Sequence, residues 1–170
     1  VDGTAQVVTV TVNGTNDAAV ITGASTSAIT ESNVAQSVGG TLNATDVDSS
    51  ALFVAQSNVS GSNGYGKFSL TSAGVWTYAM NSAHNEFVGG QTYTDSLTAA
   101  TADGTTQVIT VTMTGTNDAA VISGTKTGTV LEAGGISNAT PGTPTASGTL
   151  TATDVDNPAN TFTAVSSGAV

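Results

Sequence analysis

The sequence predicts an all-β protein, a Greek-key sandwich repeated in tandem, and three observations carry that prediction. Thr, Ala, Gly, Ser and Val dominate its 170 residues while long aliphatics and aromatics are sparse, a composition that favours strands broken by turns. Apolar and polar residues alternate with a period of two, and no stretch shows a helical period. The phrase GTNDAAVITG at 14–23 returns, almost letter for letter, as GTNDAAVISG at 115–124.

The repeat is long. DGTAQVVTVTVNGTNDAAVITG (2–23) lies over DGTTQVITVTMTGTNDAAVISG (103–124) without a gap at an offset of 101 residues, and GTLNATDVD (40–48) returns as GTLTATDVD (148–156) at an offset of 108. The seven extra residues between the blocks come with Pro141 and Pro144, the mark of a loop insertion. Such a period exceeds a solenoid unit and suits a self-contained sandwich domain. It divides the chain into a tail of a preceding repeat plus linker (1–17), one complete repeat plus linker (18–118), and the N-terminal part of a following repeat (119–170). Both end pieces lack strands that the middle copy possesses, so each is expected to be poorly stable by itself.

Within the complete copy, AAVITG and TSAIT form a split first strand. GGTLNATD, ALFVAQS, GKFSLT, GVWTYAM, TYTDSLTAATA and TQVITVTMT follow. SAG before Val75 and ADG at 102–104 have tight-turn chemistry, while NSAHNEF supplies at most one helical turn. About seven strands in this span make a Greek-key sandwich. Val54, Phe68, Leu70, Val75, Trp76, Tyr78, Tyr93, Leu97, Ile109 and Val111 are its expected core.

Charge narrows the function. Twelve acidic residues face two lysines and no arginine, a formal net charge of −10, which argues against nucleic acid and anionic membrane surfaces as partners. No apolar run approaches the ~20 residues of a membrane span, so no membrane insertion is expected in this segment, and VDGTAQ reads as the middle of a chain rather than a signal peptide. Cysteine is absent and His84 is the only histidine, so neither a nucleophilic triad nor a zinc site can be assembled. His84 lies in a polar turn and reads as solvated. A carboxylate pair can hydrolyse glycosides, but these acids fall at domain ends with no aromatic cleft beside them. The chain is expected not to be an enzyme.

Following the strand directions sorts the acids. Asn16, Asp17, Asp46, Asp48 and Asp103 converge on an upper junction, and Glu31, Asn117, Asp118, Asp154 and Asp156 on a lower one. Five carboxylate positions recur in two copies (Asp2/Asp103, Asp17/Asp118, Glu31/Glu132, Asp46/Asp154, Asp48/Asp156), leaving only Glu86 and Asp95 in regions present once. Clustered carboxylates with almost no cations to pair with them call for positive charge from outside. Carboxylate and amide oxygens without imidazole or thiolate are the ligand set of Ca²⁺, which takes six to eight such oxygens; Mg²⁺ keeps its water and is less apt. Single Asn-Asp or Asp-Gly steps are ordinary turn formers; the constellation is what points to calcium.

GTLNATDVD, YGKFSLTSAGVWTYAMNSA, YTDSLTAATADGT and ITVTMTGTNDAAVISG together resemble VCBS-type, cadherin-like repeats of giant bacterial RTX adhesins exported by type I secretion. The resemblance covers essentially the whole chain. It implies an immunoglobulin-like or cadherin-like sandwich in long extracellular arrays at a bacterial cell surface or in a secreted matrix, engaged in adhesion and biofilm. It also implies a calcium role for Glu31, for Asp46 and Asp48 with their copies Asp154 and Asp156, for Asp103, and for Asn117 with Asp118. Two departures stand out: Ala-Ala replaces the proline usual after the acidic linker motif, and no acid-x-Glu motif precedes the sixth strand, with Glu86 and Asp95 the acids left for that side. Neighbouring repeats of the same chain are the implied partners, with other adhesin molecules or matrix glycans beyond them. A calcium-stiffened spacer and a glycan- or protein-binding adhesive domain are the two functional readings; near-identity of the repeats favours the spacer.

Overall fold

The computed structural model describes residues 2–165. Nearly all its regular structure is strand, and among the described residues no helix is long and apolar enough to cross a membrane. These residues divide into two compact units, one of 2–28, 37–81 and 94–112, the other of 29–36, 82–93 and 113–165.

The split first strand is observed as β1 (Val20–Gly23) and β2 (Thr26–Thr30). Then come β3 (Ser37–Thr45), β4 (Gln56–Ser60), β5 (Gly66–Leu70), β6 (Val75–Met80), β7 (Thr92–Ala100) and β8 (Thr106–Thr114). β1, β3, β6, β5 and β4 pair in that order as one antiparallel sheet, and β2, β8 and β7 form a second. The jump from β3 to β6 across the β4–β5–β6 meander is the Greek-key connection. Thr110 N donates to Ser25 O and Glu31 N to Thr114 O; both numbers rise together, so β2 runs parallel to β8.

Trp76 and Tyr78 on β6, Phe68 and Leu70 on β5, Leu97 on β7, and Ile109 and Val111 on β8 are buried as expected. The Trp76 indole donates Nε1–H to Ala24 O at 2.7 Å. It lies so close to β3 that a Cβ on Gly40 would stand 2.8 Å from Cζ2; the second glycine of GGTLNATD clears that space. Two expected core residues are not core. Val75 is 46% exposed because it neighbours Trp76, and successive strand residues face opposite sides. Val54 is 54% exposed and Phe53 takes the inside place. Tyr93 is only half-buried. Ala19, Ile29, Leu42, Phe53, Met80, Phe87, Ala99 and Met113 are buried as well.

The fourth strand is also displaced. ALFVAQS was the expected stretch, but β4 begins at Gln56, and Phe53 makes only an isolated bridge to Thr101. Phe53 N donates to Ser72 O, Val54 N to Ala100 O, and Ala102 N to Leu52 O. The segment is therefore spent on crossing between sheets before it pairs with β5. β4 itself shifts register between Gln56 and Val59, where Asn58 has φ 53°, the geometry of a β-bulge on an edge strand.

Outside the sandwich, residues 2–13 form no strand, and Val7, Val8, Val10 and Val12 are each more than three-quarters exposed. Toward the other end, β9 (Val121–Gly124) pairs antiparallel with β10 (Leu150–Thr153), Val121 opposite Thr153. That register is the one β1 and β3 adopt, with Val20 opposite Thr45: the two copies of the motif fold alike. The proline-bearing insertion between β9 and β10 is loop with one 3-10 turn (Ile136–Asn138), closed by bridges Leu131–Thr143 and Gly134–Thr140.

Candidate functional site

In each compact unit the linker meets its Asp-Val-Asp loop, whereas Asp103 reaches the chain at Ala19 rather than at the other acids. In the first unit the linker reaches the Asp-Val-Asp loop after β3. Asp17 N donates to Asp48 Oδ1 and Oδ2 at 3.3 and 3.2 Å, and Ser49 Oγ donates to Asn16 Oδ1 at 2.5 Å. Asp46 Oδ1 accepts the amides of Asp48 and Ser49, which curls that loop, while its Oδ2 is buried with no hydrogen-bond partner. Asp103, in the turn between β7 and β8, holds Ala19 N at 3.0 Å and takes the hydroxyls of Thr101 and Thr105. Those hydroxyls, Thr101 first, keep its carboxyl well below the usual carboxylate range.

The second unit repeats the linker contacts and adds to them. Asn117 Nδ2 donates to Asp118 O at 2.7 Å, as Asn16 does to Asp17. Asp118 N donates to Asp156 Oδ1 at 3.3 Å, the counterpart of the Asp17–Asp48 contact. Asp154 Oδ1 accepts Asp156 N and Asn157 N. Glu31, at the end of β2, is only 2% exposed. Its Oε2 accepts the Thr116 amide at 3.1 Å and the Thr116 hydroxyl, but Oε1 has no partner and is buried. Asp118 Oδ2 is in the same condition. Burial, then the charges of Glu31, Asp156 and Asp154, push the Asp118 carboxyl above its ordinary value. Asp118 thus lies close enough to the other three acids to be repelled by each.

The loop between β6 and β7 contributes what was not read from the sequence. Gly89 N donates to Asp156 Oδ2 at 3.3 Å, which helps to make Asp156 2% exposed where its copy Asp48 is open. A Cβ on Gly89 would meet Asn117 N at 3.0 Å, so this approach to the linker favours glycine. Gly90 N donates to Gly115 O, and Gly115 N to Gln91 O. A cleft of about 670 Å³, lined in part by Gly89, Thr116, Asn117 and Asp156, opens beside them.

His84 is not solvated as expected. It is 7% exposed, its Nδ1 lies 2.6 Å from Glu86 Oε1, and its ring stacks on Phe87 with centroids 4.7 Å apart. Phe87 stacks in turn on Tyr93 at 3.9 Å. The turn holds His84 at φ 60°, which rolls the imidazole inward. Burial raises the Glu86 carboxyl, but the hydrogen bonds from His84 and from its own amide, with the charge interaction with His84, together outweigh it and leave that group below its ordinary value. Glu86 is therefore engaged with His84. Asp95 is fully buried on β7, where it accepts Asn63 N, Gly66 N and the Tyr78 hydroxyl.

Oxygen donors are all that either cluster offers, the chemistry of a hard cation, and the buried, unpartnered oxygens of Glu31, Asp118 and Asp46 fit one. Neither lysine forms an ion pair among the described residues. Among those residues, too, no three His, Asp or Glu side chains stand grouped so as to hold a metal by themselves; a cation here would draw on amide or main-chain oxygens as well. A family model described as the bacterial cadherin-like domain matches residues 16–115, from the linker Asn16 through β8. No curated protein matches the sequence.

Proposed function

The chain belongs to the bacterial cadherin-like domain family, and we propose that it is an extracellular, calcium-stiffened spacer in a bacterial surface adhesin. In this reading it is a VCBS-type repeat of an RTX, type I-secreted array that serves cell adhesion and biofilm. One observation carries the calcium part: Glu31 Oε1 and Asp118 Oδ2 are buried without partners amid four acids. A buried carboxylate oxygen left unpaired is costly, and a cation removes that cost. Glu31, Asn117, Asp118, Asp154 and Asp156 would hold it at one junction; Asn16, Asp17, Asp46, Asp48 and Asp103 would serve at the other. Bound calcium supplies the positive charge that neither lysine brings.

The chain's own residues do the rest. Asp156 ties the linker amide of Asp118 to that of Gly89, and Thr116 holds Glu31. Linker, loop and following repeat are thereby set around the same oxygens. The role is non-catalytic, and its partners are neighbouring repeats, with other adhesin molecules or matrix glycans beyond. Calorimetric titration of the 170-residue chain should give saturable heat with CaCl₂ that MgCl₂ does not reproduce. Silence with calcium sinks the reading.

A further inference from the structure

Glu31 and Asp118 are not alone in the second unit. Asn85 Oδ1 is buried there too, and it likewise accepts no hydrogen bond. Its partner atom is satisfied, since Asn85 Nδ2 donates to Asn33 Oδ1 at 2.9 Å. Asn33 follows Glu31 by two residues, so this bond anchors the start of the β6–β7 loop beside the end of β2. From Asn85 the loop runs onto the linker. The carbonyls of Phe87 and Val88 crowd Gly115 so closely that a Cβ there would stand 2.5 and 2.4 Å from them. Gly90 N then donates to Gly115 O at 2.9 Å. The stack of His84, Phe87 and Tyr93 stiffens the same loop. Asn85 thus ties the β6–β7 loop to the segment that follows Glu31, and residues 87–91 of the same loop reach the linker that leads to Asp118.

We propose that Asn85 is a further ligand of the cation bound at Glu31 and Asp118, giving its amide oxygen, and that Asn33 orients it. The proposal rests on the calcium reading above. An amide oxygen suits the place chemically. Hard cations accept neutral carbonyl oxygens, and a neutral ligand adds coordination without adding charge to Glu31, Asp118, Asp154 and Asp156. It also supplies the side of the site for which the sequence offers only Glu86, and Glu86 is engaged with His84.

The test titrates CaCl₂ into the whole chain and its variants by calorimetry, with the side-chain amide resonances followed by NMR. Asn85→Ala should weaken binding at least tenfold, and Asn85→Asp, which keeps an oxygen at that place, should bind at least as tightly as the parent. Asn33→Ala should lie between. In the parent, the Asn85 amide resonance should shift on adding calcium more than that of Asn63, a readout that does not depend on any variant folding. No binding by the parent overturns the calcium reading itself. Binding by the parent with no loss in Asn85→Ala, or with an unmoved Asn85 resonance, overturns the assignment alone. An Asn85→Asp as weak as Asn85→Ala shows packing rather than ligation and overturns it equally.

Discussion

One oxygen of Asp118 is buried without a partner, and Glu31, Asp156 and Asp154 act on its charge. Its raised carboxyl gives a pH dependence whose sign is determined. Without metal, the folded junction holds the Asp118 proton more tightly than the unfolded chain does. The stability this contributes is present in acid and is lost as pH rises through the raised value. A cation must displace that proton, so calcium affinity should fall as pH drops from neutrality toward the ordinary carboxylate range. Calorimetry in two buffers of different ionisation heat should register proton release near the lower pH; equal heats in both would mean Asp118 is already ionised before calcium arrives. The carboxylates of this cluster were legible in the sequence because they recur at fixed offsets. Asn85, Thr116 and Gly89 were not. They act through a side-chain amide, a hydroxyl and a main-chain N–H, and no pattern of charge marks such groups. His84 misled because its neighbours are polar, while the positive φ that turns it inward has no signature in composition.

At the scale of elements, strand existence was legible almost throughout and strand phase was not. Alternation locates a strand but leaves open which of two adjacent apolar residues faces in. Phe53 and Trp76 take the inside over Val54 and Val75 because the larger apolar surface gains more from burial. Asp95 shows the reverse case, an acid that the strand pattern buries. It sits at 0% exposure on β7 and gathers Asn63 N at 2.7 Å, Gly66 N at 3.1 Å and the Tyr78 hydroxyl at 3.1 Å. The β4–β5 turn is thereby pinned to the opposite sheet. Burial, and after it the Asp95 charge, holds the Tyr78 hydroxyl well above its ordinary pKa, so it stays a donor. Asp95→Ala would strand the Asn63 and Gly66 amides, each unpaired group costing about 1–3 kcal/mol. The expected loss is at least about 2 kcal/mol of a typical 5–15 kcal/mol, read as a lower urea midpoint. A loss under about 1 kcal/mol, the worth of one ordinary hydrogen bond, would mean that water replaces the carboxylate.

For the whole molecule the decisive property is that the chain repeats. β9 and β10 reproduce the register of β1 and β3, and Asp118 meets Asp156 as Asp17 meets Asp48. An array of such repeats therefore presents the same acidic junction again and again, with net charge −10 in this stretch alone. On the proposed function, carboxylates from linker and loop would repel one another without calcium and leave the linker free to bend; with calcium, oxygens from the linker and from both flanking repeats would surround the ion, and bending would strip ligands from it. The same coupling would make metal binding contribute to folding, which would suit a chain exported unfolded and folded outside. Small-angle scattering on a protein of several such repeats should show a longer maximum dimension and a rod-like profile in millimolar calcium, reversed by chelation. Asp118→Ala in every linker should leave the profile flexible in both conditions while thermal unfolding of the sandwich changes little, since the residue lies outside the buried core. A parent profile that calcium leaves unchanged would mean the main-chain bonds between Gly90, Gln91 and Gly115, rather than the ion, set the stiffness, and the spacer mechanism would have to be given up.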